Sequence, residues 1–188
     1  MPFNFKKCIS ANGREIEGLF EILPKVFNDS RGYFFESYSL RDFSAAGLKL
    51  NFVQDNQSRS AKGVLRGLHF QKKNPQGKLV RAIQGEIFDV ALDIRPDSIT
   101  FGEWYGVVLN EEEQNLFFIP PGFAHGFLVL SDYCIFSYKC TDFYFPEDEG
   151  GIIWNDSDLN IRWPKLGVDY ILSDKDKKLP AFSTLKFL

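Results

Sequence analysis

Three cysteines and two histidines are all that this 188-residue chain has of the side chains that most readily form disulfides or bind transition metals. The cysteines are Cys8, Cys134 and Cys140, and no Cys-x-x-Cys occurs, which argues against a thiolate metal site. If Cys134 and Cys140 share a strand, about 3.3 Å per residue sets them roughly 20 Å apart, far beyond disulfide reach. Such a composition suits a reducing cytoplasm. No apolar run approaches the roughly 18 residues of a membrane span, and the opening MPFNFKKC does not read as a signal peptide. The formal net charge is -3 with no basic cluster, so the chain lacks the electrostatic footprint of a nucleic-acid binder. Internal repeats, low-complexity stretches and a second-domain boundary are also missing.

Aromatic side chains are plentiful: twenty Phe, seven Tyr and three Trp, a load that favours strands. Helical signals are few. Ser39 to Ala46 reads as a short helix, with Ser39 and Asp42 as a capping box and Gly47 where the helix stops. Residues 18–37 hold two strand-like runs around the turn Asn28-Asp29-Ser30. Further on, short strands alternate with Gly/Pro turns: Phe52–Gln57, Val64–Phe70, Lys78–Ile83, Glu86–Ile94, Trp104–Leu109, Leu116–Ile119, Ala124–Leu130 and Cys134–Cys140. In the fourth of these, Phe88, Val90, Leu92 and Ile94 share one face. After Pro146 the signals weaken, although Ser173 to Lys178 can form one helical turn. The pattern predicts an all-β fold, a jelly-roll β-sandwich or barrel with a few short peripheral helices. One domain is expected over 1–188. It would comprise an N-terminal arm and helix to about residue 50, a core over 51–145, and C-terminal loops with a short helix over 146–188.

The chain is organised around GVLRGLHFQKKNPQGKLVR, Gly63 to Arg81. Arg66, His69 and Lys78 stand on or beside apolar strands, where such groups are costly to bury unless paired or in use. Either they line a ligand cavity inside a β-fold, or they mark an edge strand with its polar face in water. Strict alternation puts Arg66 and His69 on opposite faces. Gly67 between them permits a bulge that would re-aim one of the two.

Gly63 with His69 matches the start of the cupin motif G-x5-H-x-H, and Pro120-Pro121-Gly122-Phe123-Ala124-His125 matches P-x-G-x-x-H. Gln71 stands at the second histidine position and Gln76 near the carboxylate position. Amides are poor replacements for those ligands, so the pattern is that of a cupin without its metal site. The segments GVLRGLHFQ, QGKLVR, GEIFDVALDIR, FGEW, IPPGFAHGFLVLSD, YKCTDFYFPE and WND, in order from about Pro24 to Lys178, resemble the dTDP-4-dehydrorhamnose 3,5-epimerase family.

The resemblance implies a cofactor-independent isomerase that inverts C3 and C5 of dTDP-4-dehydro-6-deoxy-D-glucose, giving dTDP-4-dehydro-L-rhamnose. Both C–H bonds are α to the C4 ketone, so a base, an enolate stabiliser and an acid on the opposite face suffice. The family pattern places the base at His69, whose imidazole type titrates nearest neutral pH. It places an orienting carboxylate at Asp176, a cation near the C4 oxygen at Lys78, and the acid at Tyr138. Read locally, Ser173 to Asp176 is equally a capping box with Asp174 as a neighbouring candidate, Lys78 a solvated strand-start lysine, and Tyr138 a core residue beside Phe136. Binding roles carry over to Arg31, Glu36, Gln54, Asn56, Arg66, His125, Glu149 and Lys175, with Arg66 and Lys175 suited to the diphosphate. The resemblance further implies a homodimer in which the N-terminal segment, with Arg31 and Glu36, reaches the partner subunit. Other readings of the same residues are a 3-only or 5-only epimerase, a catalytically silent sugar-nucleotide-binding cupin, and, weakest, a metal-dependent cupin dioxygenase.

Overall fold

The computed structural model describes residues 2–185. The strands are β1 (Phe3–Ile9), β2 (Glu15–Pro24), β3 (Phe27–Asp29), β4 (Gly32–Phe34), β5 (Gln54–Ala61), β6 (Leu65–Gln71) and β7 (Lys78–Gln84). They continue as β8 (Glu86–Asp93), β9 (Trp104–Asn110), β10 (Leu116–Ile119), β11 (Phe123–Val129), β12 (Tyr133–Cys140) and β13 (Glu149–Gly151). A six-stranded sheet in the order β1-β2-β10-β7-β12-β5 faces a five-stranded sheet in the order β13-β6-β11-β8-β9. The strand pairs within both are antiparallel. The result is an open sandwich with edge strands; the sheets do not close into a barrel.

Of the expected N-terminal arm, residues 3–24 are woven into the six-stranded sheet, and the hairpin β3–β4 stands apart as a sheet of its own. Its turn falls where Asn28-Asp29-Ser30 predicts one, with Asp29 paired to Gly32. Strand β1 has no counterpart in the sequence reading, nor has β13, which three residues of Glu-Gly-Gly form without any β-propensity. The strand expected at Phe52–Gln57 lies later, at Gln54–Ala61, because its full length pairs with Tyr133–Cys140. Helix α1 (Leu40–Ala45) forms as the capping pair implies, Ser39 Oγ accepting from the Asp42 N–H.

Three apolar clusters hold the layers. Between the sheets, Val80, Phe117 and Phe136 meet Ile87, Val107 and Phe127. Under α1, Phe43 packs with Ile22, Leu79 and Phe118 on the outer face of the six-stranded sheet. The shared face of Phe88, Val90, Leu92 and Ile94 does not look into the sandwich. It is covered from outside by the C-terminal segment through Ile152, Leu159 and Trp163. Indole N–H groups pin that segment, Trp104 donating to Leu159 O and Trp163 to Trp154 O. Each fully buried side chain of this size stabilises by about 1.5–3 kcal/mol. Thus the weakly patterned C-terminal stretch is the lid of a second core, and the opposite face of β8, with Asp89, is turned inward.

Candidate active site

The bulge that Gly67 permits is present. Along β11 the partners step by two residues, His125 to Phe127, while along β6 they step by three, His69 to Arg66. The extra residue turns Arg66 and His69 to the same inner side, and Leu65 and Leu68 to the outer core. Gly67 has φ of +114°, and a Cβ there would lie 2.6 Å from Gly126 Cα and from His125 O, so only glycine fits.

A cavity of about 560 Å³ opens between the sheets at this point. His69 lies on its wall from the five-stranded sheet; Lys78 and Tyr138 come from β7 and β12 of the six-stranded sheet. Asp176 reaches in from a 3₁₀ turn, Asp176–Lys178. Its Oδ1 accepts from His69 Nε2 at 2.6 Å. With Nε2 carrying that proton, Nδ1 is left as the basic nitrogen. Burial pushes the Asp176 carboxyl up, but hydrogen bonds from His69, Ser173 and the Gly67 N–H, with the attraction of a protonated His69, together hold the group below the usual carboxylate range. Both local readings of this turn are realised at once. Ser173 Oγ accepts from the Asp176 backbone N–H, while the carboxylate bonds His69 and also meets Ser173 and the Gly67 N–H. Asp174 points away and bonds Lys177, its side chain 91% exposed.

Lys78 forms no ion pair among the described residues; burial lowers its pKa, against which the nearby Cys140, Asp89 and Glu149 act to raise it. Tyr138 shares its face with Phe136, as alternation predicts, and packs beside it while lining the cavity. Burial, with smaller contributions from neighbouring groups, raises its phenol above the ordinary value, so it stays protonated at neutral pH.

Among the expected binding residues, Arg66, His125, Glu149 and Lys175 line the same cavity. Arg66 is held by two hydrogen bonds to Ser60 Oγ, and Lys175 pairs with Glu149 at 2.6 Å. Gln54 and Asn56 share a face, are bonded to each other, and line an adjoining recess of about 280 Å³ with Lys78 and Tyr138. Arg31 and Glu36 are not brought to the cavity of their own chain. Both are exposed, and Arg31 pairs with Asp29 inside the hairpin.

Two cavity features escaped the sequence reading. Asp89, fully buried, accepts from His125 Nε2 through both oxygens, at 2.9 and 3.0 Å. Its signal was an aspartate inside the apolar run IFDVAL, unaffordable without a partner. Tyr144 lines both the cavity and the recess, and its hydroxyl donates to Glu149 at 2.6 Å, which pushes the phenol up to about 12. Among the described residues no group of three or more His, Cys, Asp and Glu is gathered to hold a metal ion. All three cysteines are buried and free, and among the described residues no helix is long and apolar enough to cross a membrane.

The family model described as dTDP-4-dehydrorhamnose 3,5-epimerase matches residues 13–184. The dTDP-4-dehydrorhamnose 3,5-epimerase of Methanothermobacter thermautotrophicus is 56% identical over 163 residues, covering 86% of this chain and 88% of that protein. A crystal structure of dTDP-6-deoxy-D-glucose-3,5-epimerase from Legionella pneumophila, in complex with dTDP-4-keto-L-rhamnose, superimposes with a TM-score of 0.90. It is 48% identical and covers 98% of this chain and 95% of that one. A 3'-monoepimerase from Streptomyces bikiniensis, in complex with dTDP-quinovose, has a TM-score of 0.84 at 32% identity, covering 90% and 86%.

Proposed function

Because the chain belongs to the dTDP-4-dehydrorhamnose 3,5-epimerase family, we propose that the cavity between its sheets is where a 4-keto sugar loses and regains protons. The protein is an isomerase. It converts dTDP-4-dehydro-6-deoxy-D-glucose to dTDP-4-dehydro-L-rhamnose, a step of dTDP-L-rhamnose biosynthesis, by inverting C3 and C5.

In our reading His69 Nδ1 takes the α-proton while Asp176 holds the ring and favours the imidazolium that forms. Negative charge then moves to the C4 oxygen, where the Lys78 ammonium stabilises the enolate in a site partly shielded from water. Tyr138, kept protonated by burial, returns a proton from the opposite sheet and so to the opposite face of the sugar. Arg66 and Lys175 take the diphosphate; Gln54, Asn56, His125 and Glu149 hold the remaining polar groups of the substrate. The observation that carries this reading is the 2.6 Å His69–Asp176 pair on one wall of a cavity whose other wall bears Tyr138 and Lys78.

Arg31 and Glu36 act, in this proposal, in the cavity of a second copy. Support comes from the β3–β4 hairpin, which exposes Phe27 (49%), Tyr33 (57%) and Phe34 (68%), an apolar surface that a homodimer would cover. Sedimentation at micromolar concentration is expected to give about twice the 21.6 kDa chain mass; an active monomer would remove the exchange. The buried free thiols support a reducing, cytoplasmic setting.

The test of the reaction is proton NMR of the dTDP-4-keto sugar with enzyme in D2O. Deuterium at both C3 and C5 of the product is expected. Incorporation at one carbon alone would favour the second reading, a monoepimerase, which the similarity to the Streptomyces enzyme motivates. Incorporation at neither carbon would leave only sugar-nucleotide binding.

A further inference from the structure

Gln71 and Gln76, the two glutamines that stand near ligand positions of a cupin motif, have no part in the proton chemistry above. Gln71 is nevertheless buried, and three of the four hydrogen-bonding positions of its amide are used on the neighbouring loops. Nε2 donates to Asn74 O at 2.7 Å and to Phe143 O at 3.1 Å, and Oε1 accepts from the Phe145 N–H at 2.7 Å. One turn away, Gln76 Nε2 donates to Asp142 O at 2.8 Å, and the Gly77 N–H donates to Thr141 Oγ1 at 2.7 Å. The segment 141–145 that follows β12 is therefore tied along its length to residues 71–77.

That segment has little apolar burial to hold it, since Phe143 is 55% exposed and Tyr144 49%. It carries Tyr144 to the cavity, where the Tyr144 N–H meets Gln54 Oε1 at 3.1 Å and the hydroxyl meets Glu149, the partner of Lys175. Hydrogen bonds from the buried Gln71 amide to both neighbours of Tyr144, with those of Tyr144 itself to Gln54 and Glu149, set this tyrosine against the cavity mouth.

We propose that Gln71 is a positioning residue for substrate binding: by clamping the backbone on both sides of Tyr144, it holds Tyr144 and, through it, Glu149 and Lys175 at the cavity mouth. The proposal rests on the epimerase reading and deepens it.

Gln71→Met has nearly the same shape and lacks all three hydrogen bonds. KM for the dTDP-4-keto sugar and Kd for dTDP should each rise about tenfold, while kcat at saturation and deuterium wash-in at C3 and C5 change less than about twofold. In a Tyr144→Ala background the same substitution should add less than about twofold, because its effect passes through Tyr144. Should Gln71→Met fail to fold, Gln76→Leu loosens the same segment from a part-exposed position, and the same split of KM against kcat, about threefold in size, is expected. A lowered Tm with KM and Kd unchanged overturns the proposal, as do equal KM increments with and without Tyr144. A wild-type chain without epimerase activity would instead overturn the reading of function, so the two failures are distinguishable.

Discussion

Two imidazole–carboxylate pairs stand side by side in this molecule, on strand positions directly opposite each other, His69 on β6 and His125 on β11. In chemistry they are the same; in setting they differ. The His69 side chain is 30% exposed to the cavity, whereas that of His125 is 9% exposed. The carboxylate of the first pair arrives from a 3₁₀ turn 107 residues away, and that of the second from the adjacent strand β8. A pair open on one side can exchange a proton with a bound sugar. A sealed pair is held by both oxygens of a fully buried aspartate and serves the shape and polarity of the cavity wall. Both rings bond their carboxylate through Nε2, so what separates the pairs is how far the ring opens to the cavity, not which nitrogen is free.

The largest effect that should separate the two is at His69. His69→Asn is expected to abolish both deuterium wash-in and product formation, since a positioned base contributes roughly 10²–10⁴-fold. Wash-in that survives the change would transfer the base role to His125. Next comes Tyr138→Phe, which leaves His69 able to form the enolate and return deuterium to the same face. Isotope exchange should outlast epimerisation in that variant. Equal suppression of both, with dTDP still bound, would reduce Tyr138 to packing beside Phe136.

A matched pair of substitutions then tests the comparison itself. Asp176→Asn should lower kcat at least about tenfold, because the ring loses its ionic partner and its fixed tautomer. Asp89→Asn should lower kcat less than Asp176→Asn does, and instead lower Tm, because it disturbs a pair sealed from solvent. The reverse ranking would exchange the assignments. The smallest effect is one of pH. Burial disfavours the Lys78 ammonium, so its proton leaves below the ordinary lysine value of 10.5, and the alkaline limb of kcat should fall there. Tyr138 is shifted upward and stays out of that limb. Lys78→Arg should move the limb to higher pH; a limb that stays in place would assign it to another group.

Much of this was written locally. Alternation in β8, the cap of Ser39 on α1 and the shared face of Gln54 and Asn56 each follow from neighbours within a few residues, and Gly67 permitted a bulge that the pairing with β11 then made. The polar cluster of Gly63 to Arg81 left a cavity and a water-facing edge strand open, of which the structure has the cavity, and resemblance supplied roles for its residues. Tertiary structure alone decided what crosses the chain. It set Asp176 against His69 and Asp174 outward on Lys177, a choice that local sequence left open and only the resemblance had made, because one side of the turn faces β6. Asp89 turned inward once the C-terminal segment covered the opposite face of its strand, which no periodicity could tell from solvent. Tyr144 reached the cavity through hydrogen bonds between its neighbours and the Gln71 amide at the end of β6, some seventy residues earlier, and Arg31 was left exposed on a hairpin. Sequence fixes the faces of elements because sterics act over a few residues. Which faces meet depends on burial summed over the whole chain.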